Sequence, residues 1–247
     1  MCRHLAYVGE RVRAGELLLD PPHALVTQVD SPRCQLPGVV NRDGWGIAWR
    51  DGEGWATRRS TVPFSEDVDG QAHVKSVEST ALVAAVRRAS PGLALVESGN
   101  APFVSGRWAF SLNGFVGGFT TGARDVLVDA LSPARRIALA GDTDSEVLFG
   151  VVLDALDAGD APEIALGAAV RAGLDAAGPE PSRLNLLLAD SSGICATRWS
   201  NSLFHGAVDG LVVVASEPFD DDPVWVEVPD GSVVVASAEG VEVRPLA

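Results

Sequence analysis

Lysine is nearly missing from this chain. Lys75 is the only one in 247 residues, and with 19 basic against 33 acidic side chains the formal net charge is −14 and the isoelectric point about 4.6. A field of that sign repels phosphate polymers and anionic headgroups, so neither nucleic acid nor a membrane surface is expected as a partner. It tolerates a cationic substrate. Cysteine is scarce and odd in number: Cys2, Cys34 and Cys195 cannot close a disulfide framework, and they lack the paired spacing of a structural zinc site. A reducing, cytoplasmic setting fits, and no metal or other cofactor is expected. No run approaches the ~18 apolar residues of a membrane span, and residues 2–20 carry scattered charges where a signal peptide would have an apolar core. No Pro/Ser-rich linker divides the chain, so one domain over residues 1–247 is expected. At 47% hydrophobic and 21% charged, it has the composition of a globular protein able to bury a full core.

The first feature that carries chemistry is Cys2. Once an initiator Met1 is removed, Cys2 holds a thiol and a free α-amine on one residue. The amine, with an ordinary pKa of about 7.7–8.0, can take the thiol proton without a distant histidine. Cys2 to Val8 reads as a strand, which would hold that nucleophile still.

Further along, a long excursion to about residue 40 precedes a hairpin that begins at Asn41-Arg42-Asp43-Gly44-Trp45-Gly46 and turns at Asp51-Gly52. Gly44 and Gly46 imply a backbone closely approached by something packed or bound. Residues 66–77 suit a short helix, and residues 79–88 read as a buried strand that delivers Arg87 and Arg88, followed by Ser90. A guanidinium at a strand end is suited to bidentate capture of a carboxylate. A strand ending in Asn113-Gly114 can offer a side-chain amide and a backbone N–H to one point, as an oxyanion hole requires, although Asn-Gly is equally a hairpin-turn pair. Helices are expected over 121–131, 144–156 and 162–177, the second capped by Thr143 or Asp144. From residue 184 onward the pattern is β-rich, with turns at Asp190 to Gly193, Asp209-Gly210, Pro229 to Gly231 and Glu239-Gly240. Trp45, Trp49, Trp55 and Trp108 offer faces for a cation, but core packing is their simpler role. Strands at both ends with helices between them suggest two sheets with helices outside, and the layered α/β arrangements open to such a chain include a four-layer sandwich.

Taken in order, Cys2, Asp43-Gly44-Trp45-Gly46, Arg87-Arg88-Ala89-Ser90, Asn113-Gly114 and Thr143-Asp144-Ser145-Glu146 resemble the glutaminase domain of the class II glutamine amidotransferases, which are N-terminal nucleophile hydrolases. The resemblance implies an α+β fold, the N-terminal nucleophile hydrolase four-layer αββα sandwich with two mainly antiparallel sheets, into which the later strands fit. It implies that Cys2 attacks a γ-glutamyl carbonyl through a thioester and that Asn113 and Gly114 hold the oxyanion. It also implies that Arg87, assisted by Ser90, binds the α-carboxylate while Asp144 binds the α-ammonium. Many members have histidine where this chain has Leu112. No segment is left over for an ammonia-consuming domain, so the expectation is either a γ-glutamyl amide hydrolase or a glutaminase subunit feeding a partner chain. A binding protein that keeps the fold without the chemistry is the non-enzymatic alternative. A small-molecule γ-glutamyl compound is the expected partner, and a homodimer is compatible with everything above.

Overall fold

The computed structural model describes residues 2–36, 38–90, 92–208 and 211–246. The expected turn at Asp209-Gly210, like Met1, lies outside them. The first half runs β1 (Arg3–Arg13), α1 (Ala14–Leu18), β2 (Trp45–Asp51), β3 (Gly54–Ser60), α2 (Val68–Ser76), β4 (Glu78–Val86), β5 (Phe103–Ser105) and β6 (Trp108–Phe115). Four helices follow, α3 (Ala123–Ala130), α4 (Pro133–Ala138), α5 (Asp144–Asp157) and α6 (Pro162–Ala177). The chain then returns to strands: β7 (Arg183–Ala189), β8 (Gly193–Arg198), β9 (Phe204–Val208), β10 (Leu211–Ala215), β11 (Val226–Glu227), β12 (Ser232–Ser237) and β13 (Gly240–Pro245).

Two antiparallel sheets result, ordered β11-β9-β10-β1-β4-β2-β3 and β13-β12-β8-β7-β6-β5. Strand alternation sorts their faces. On β1, Leu5 and Tyr7 face outward onto a core with Leu17, Leu18 and Val74 of α1 and α2, whereas Ala6 and Val8 face the second sheet. On β6, Phe110 and Leu112 meet α5 and α6 through Val147, Leu148, Val152 and Leu166. The layer between the sheets is rich in alanine and valine, among them Ala6, Ala48, Ala109, Ala189 and Ala196, with Leu187, Ile194 and Leu203 as its larger members. Helices, sheet, sheet and helices form the expected αββα sandwich.

Several elements differ from the sequence expectation, the short α1 and β5 among them. The first strand runs on to Arg13 through a register shift between Val8 and Val12. The unexpected α4 is started by Ser132, whose hydroxyl accepts the Arg135 N–H, with Pro133 at its first turn. The unexpected β9 owes its place to pairing with β10, since Phe204-His205-Gly206-Ala207 has no alternating pattern. Among the described residues no helix is long and apolar enough to cross a membrane.

Gly44 is a position where backbone shape decides the sequence. Its φ is +121°, and an added Cβ would lie 2.4 Å from Asn100 Nδ2 and 2.6 Å from the Ser60 carbonyl oxygen. Gly44→Ala is expected to destabilise the protein by about 1–3 kcal/mol, seen as a lower urea midpoint at constant m. An unchanged midpoint would show that the loop gives way freely.

Candidate active site

The site is assembled at the end where β1 begins. Arg3 pairs with Val86, so the residue before Arg3 and the residue after Val86 lie across from each other where the two strands end. Those residues are Cys2 and Arg87. Both line one cleft together with Ser90, Gly114 and Asp144, which arrive from the loop after β4, the end of β6 and the start of α5. The half-buried Cys2 thiol stands 3.8 Å from the Arg88 carbonyl oxygen.

The Arg87 guanidinium is buried and donates to Asn100 Oδ1 at 3.1 Å and to the Ala94 carbonyl at 3.3 Å. Asn100 is itself held, donating to the Ser60 carbonyl. The close approach inferred for the Asp43-Gly44-Trp45-Gly46 turn is this Asn100-Ala101 backbone and amide: a Cβ on Gly46 would come within 2.5 Å of the Ala101 carbonyl oxygen. Asp43 fastens the other side, its N–H donating to the Arg87 carbonyl and its carboxylate accepting the Ala89 N–H. The glycine-rich turn thus shapes the Arg87–Ser90 loop.

Asp144 is buried at the first turn of α5. Thr143 caps that helix by accepting the Glu146 N–H, which leaves the Asp144 carboxylate to accept the N–H groups of Val116 and Ser145. Burial raises its pKa above the ordinary carboxylate value, and those two N–H donors, with the Arg87 charge, oppose the rise. A thiol, a cation and a hydrogen-bonded carboxylate therefore share one cleft.

Asn113 is fully buried and sits behind the cleft wall that Gly114 forms. It faces the inter-sheet layer, where its amide donates to Ser216 Oγ at 3.1 Å, which uses one of its two N–H groups. Gly114 has no room for a side chain, because a Cβ would fall 1.8 Å from the Arg183 carbonyl oxygen. None of Trp45, Trp49, Trp55 and Trp108 lines the cleft; Trp45 stacks on Phe64 at 4.4 Å and donates to Asp67.

Several polar residues at the site escape sequence reasoning because their partners are remote in the chain. Arg3 is fully buried; its Nε donates to the Cys2 carbonyl at 2.9 Å, and its Nη1 lies 3.8 Å from Glu217 and 3.2 Å from Ser202 Oγ. Desolvation lowers the Arg3 pKa and the Glu217 charge opposes it. Glu217 in turn accepts the N–H groups of Arg33 and Cys34, tying the long first excursion to the start of β1. Beyond the cleft, past Ser90 and Gly114, opens a wider cavity of about 770 Å³ bordered by Phe115, Glu180 and Arg183.

Residues 33–206 match the family model described as class-II glutamine amidotransferases. Over the whole of both chains, the protein is 38% identical to a γ-glutamyl-hercynylcysteine sulfoxide hydrolase of Mycolicibacterium smegmatis. It is 36% identical to a protein of the same name from Mycobacterium tuberculosis, covering all of this chain and 97% of that one. A class-II glutamine aminotransferase domain protein from Silicibacter pomeroyi superposes with a TM-score of 0.73 at 26% identity, each chain fully covered. A glutamine phosphoribosylpyrophosphate amidotransferase from B. subtilis shares the fold at a TM-score of 0.64 and 17% identity, this chain spanning 49% of it.

His4 yields a test of the inter-sheet environment. It is fully buried, its Nδ1 is 3.2 Å from Ser111 Oγ, and desolvation, with the Arg3 charge, lowers its pKa from 6.5 to about 3. Between those values the unfolded chain holds the extra proton, so stability rises with pH across the window and is lost as pH falls from 6.5 toward about 3. His4→Gln is expected to flatten that acid limb by up to about 1.4 kcal/mol per pH unit, measured as melting temperature against pH. An unaltered limb would assign the acid sensitivity to other groups.

Proposed function

Because the chain belongs to the class-II glutamine amidotransferase family, we propose that it is a γ-glutamyl amide hydrolase. Its substrate in this reading is γ-glutamyl-hercynylcysteine sulfoxide, cleaved to glutamate and hercynylcysteine sulfoxide as a step of ergothioneine biosynthesis. The observation that carries the proposal is the convergence of Cys2, Arg87 and Asp144 on one cleft, within a chain 38% identical end to end to a hydrolase of that name. A glutamyl head group carries one carboxylate and one ammonium beside its γ-carbonyl. Arg87, with Ser90 next to it, matches the first, and Asp144 matches the second.

In this reading the chain is a single domain whose mature form starts at Cys2, freeing its α-amine. The amine accepts the thiol proton, and the thiolate adds to the γ-carbonyl, forming the S–C bond as the C=O electrons move to oxygen. The Asn113 amide and the Gly114 N–H hold that oxyanion. Collapse expels the amine, which takes the proton from the α-ammonium of Cys2, and leaves a γ-glutamyl thioester. Water, deprotonated by the same α-amine, cleaves the thioester and returns the thiol. No metal or cofactor enters. The wider cavity next to the cleft suits a leaving group much larger than ammonia, and the trimethylammonium of the hercynyl half suits an acidic protein.

Cys2→Ala is expected to abolish turnover while substrate still binds, assayed by glutamate release and calorimetry; near-normal rates would remove Cys2 from the mechanism. The ratio of kcat/KM for the bulky γ-glutamyl amide to that for glutamine is expected to be large, and a preference for glutamine would favour ammonia delivery instead.

Arg87→Ala and Asp144→Ala are each expected to weaken binding by about 2–5 kcal/mol, and Asp144→Ala to be nearly silent toward a substrate lacking its α-amine. Since the Asp144 carboxyl is raised in the free protein, capture of the ammonium should be lost as pH falls through that raised value. Asp144→Asn should erase this limb of the kcat/KM profile; a limb that survives would belong to another group.

A further inference from the structure

Asn113 offers a hydrogen-bond donor from one end of its amide and an acceptor from the other. Which end faces which neighbour decides whether it can serve an oxyanion. Ser216 does not decide it. Its hydroxyl accepts the His4 N–H at 2.9 Å and the Asn113 amide at 3.1 Å, but a hydroxyl can equally donate to the carbonyl end of a flipped amide. The decision is made on the opposite side, by Asn201, whose Nδ2 donates to Asn113 Oδ1 at 3.2 Å and to the Asn113 main-chain carbonyl at 2.9 Å.

Asn201 could in turn be flipped were it not for Arg183, which donates from Nη1 to Asn201 Oδ1 at 2.9 Å. A guanidinium has donors only, so the Asn201 oxygen must face Arg183 and its nitrogen must face Asn113. The backbone of Asn201 is pinned as well. Asn185 Oδ1 accepts the N–H groups of Trp199 and Asn201, while Asn185 Nδ2 donates to the carbonyls of Asn201 and Ser202. Asn113, Asn185, Asn201 and Ser216 are all buried, so solvent does not compete for these groups.

We propose that Asn201, oriented by Arg183, is a positioning residue that sets the polarity of the Asn113 amide and keeps its N–H groups turned away from Asn201, on the side of Ser216 and the His4 backbone near the start of β1. The relay rests on the reading of Asn113 as an oxyanion donor. It also places both halves of that hole under one residue, since the Arg183 carbonyl occupies the space that demands glycine at 114.

Asn201→Asp tests the relay with almost no change of shape. The new carboxylate still accepts from Arg183 but presents an acceptor to Asn113, which then turns its nitrogen away from the site. The expected result is a fall in kcat of about 10²–10³, the usual loss for one oxyanion donor, with KM within about threefold. A γ-glutamyl aldehyde, which adds the Cys2 thiol across its carbonyl, should lose affinity by the same factor, while glutamate, which forms no such adduct, should bind as before. Asn113→Ala is the reference. If it loses activity and Asn201→Asp stays within about threefold of the parent, the relay is wrong; if Asn113→Ala itself stays active, the oxyanion assignment is what fails. Equal losses for aldehyde and glutamate would mean general damage and would also overturn the relay. Should Asn201→Asp not fold, Arg183→Met against Arg183→Lys decides. Lysine is also a donor only, so it is expected to retain most of the activity that methionine loses, and equal effects of the two would refute the proposal.

Discussion

The pairing of β1 with β4 is the constraint on which the rest depends. Arg3 opposite Val86 brings the first residue of a strand next to the last residue of another, so Cys2 and Arg87 share one end of the β1–β4 pair. A slip by one residue would turn Leu5 and Tyr7 into the alanine- and valine-rich inter-sheet layer and Ala6 and Val8 out toward α1 and α2, exchanging larger for smaller side chains on both faces. Burial of those faces therefore holds the register, and the register holds Cys2, the candidate nucleophile, beside its candidate carboxylate clamp. With β10 on its other side, β1 is an interior strand and its start cannot fray as a free terminus does.

Polar groups gather where the two sheets part at this end, and each is matched by a remote partner. Arg3 spans the Cys2 carbonyl, Ser202 and Glu217; Glu217 also gathers the backbone of Arg33 and Cys34. Burying such a pair costs desolvation, which the lowered pKa of Arg3 records. The return is rigidity at the residue before the strand. Asp144 shows the same balance: burial pushes its pKa up while two backbone N–H groups and the Arg87 charge pull it down.

Much of the fold was legible from residues close together in the chain. The helix Pro162–Ala177 begins at its proline and ends before Gly178, both local stop and start signals. Asp144–Asp157 begins where Thr143 caps it. Ser132-Pro133 carried an equally local signal for the short α4. The strand Phe204–Val208 carried none, because its place comes from pairing with β10. At the site, Cys2, Arg87, Asn113-Gly114 and Asp144 stand out by residue type and position, whereas Arg3 with Glu217, or Arg183 with Asn201 and Asn113, becomes visible only when distant stretches meet.

The order of residues fixes an inventory: a thiol one residue ahead of a strand, a guanidinium at a strand end, an Asn-Gly pair, a carboxylate at a capped helix start, and the apolar periods that make two sheets and their helices. Such features depend on neighbours a few residues away. The tertiary structure decided the direction of each polar group, which way the Asn113 amide points, what backbone presses on Gly44 and Gly114, and why the Asp144 carboxyl is raised. Hydrogen-bond direction and desolvation depend on atoms brought close from far along the chain, and no local pattern encodes that distance.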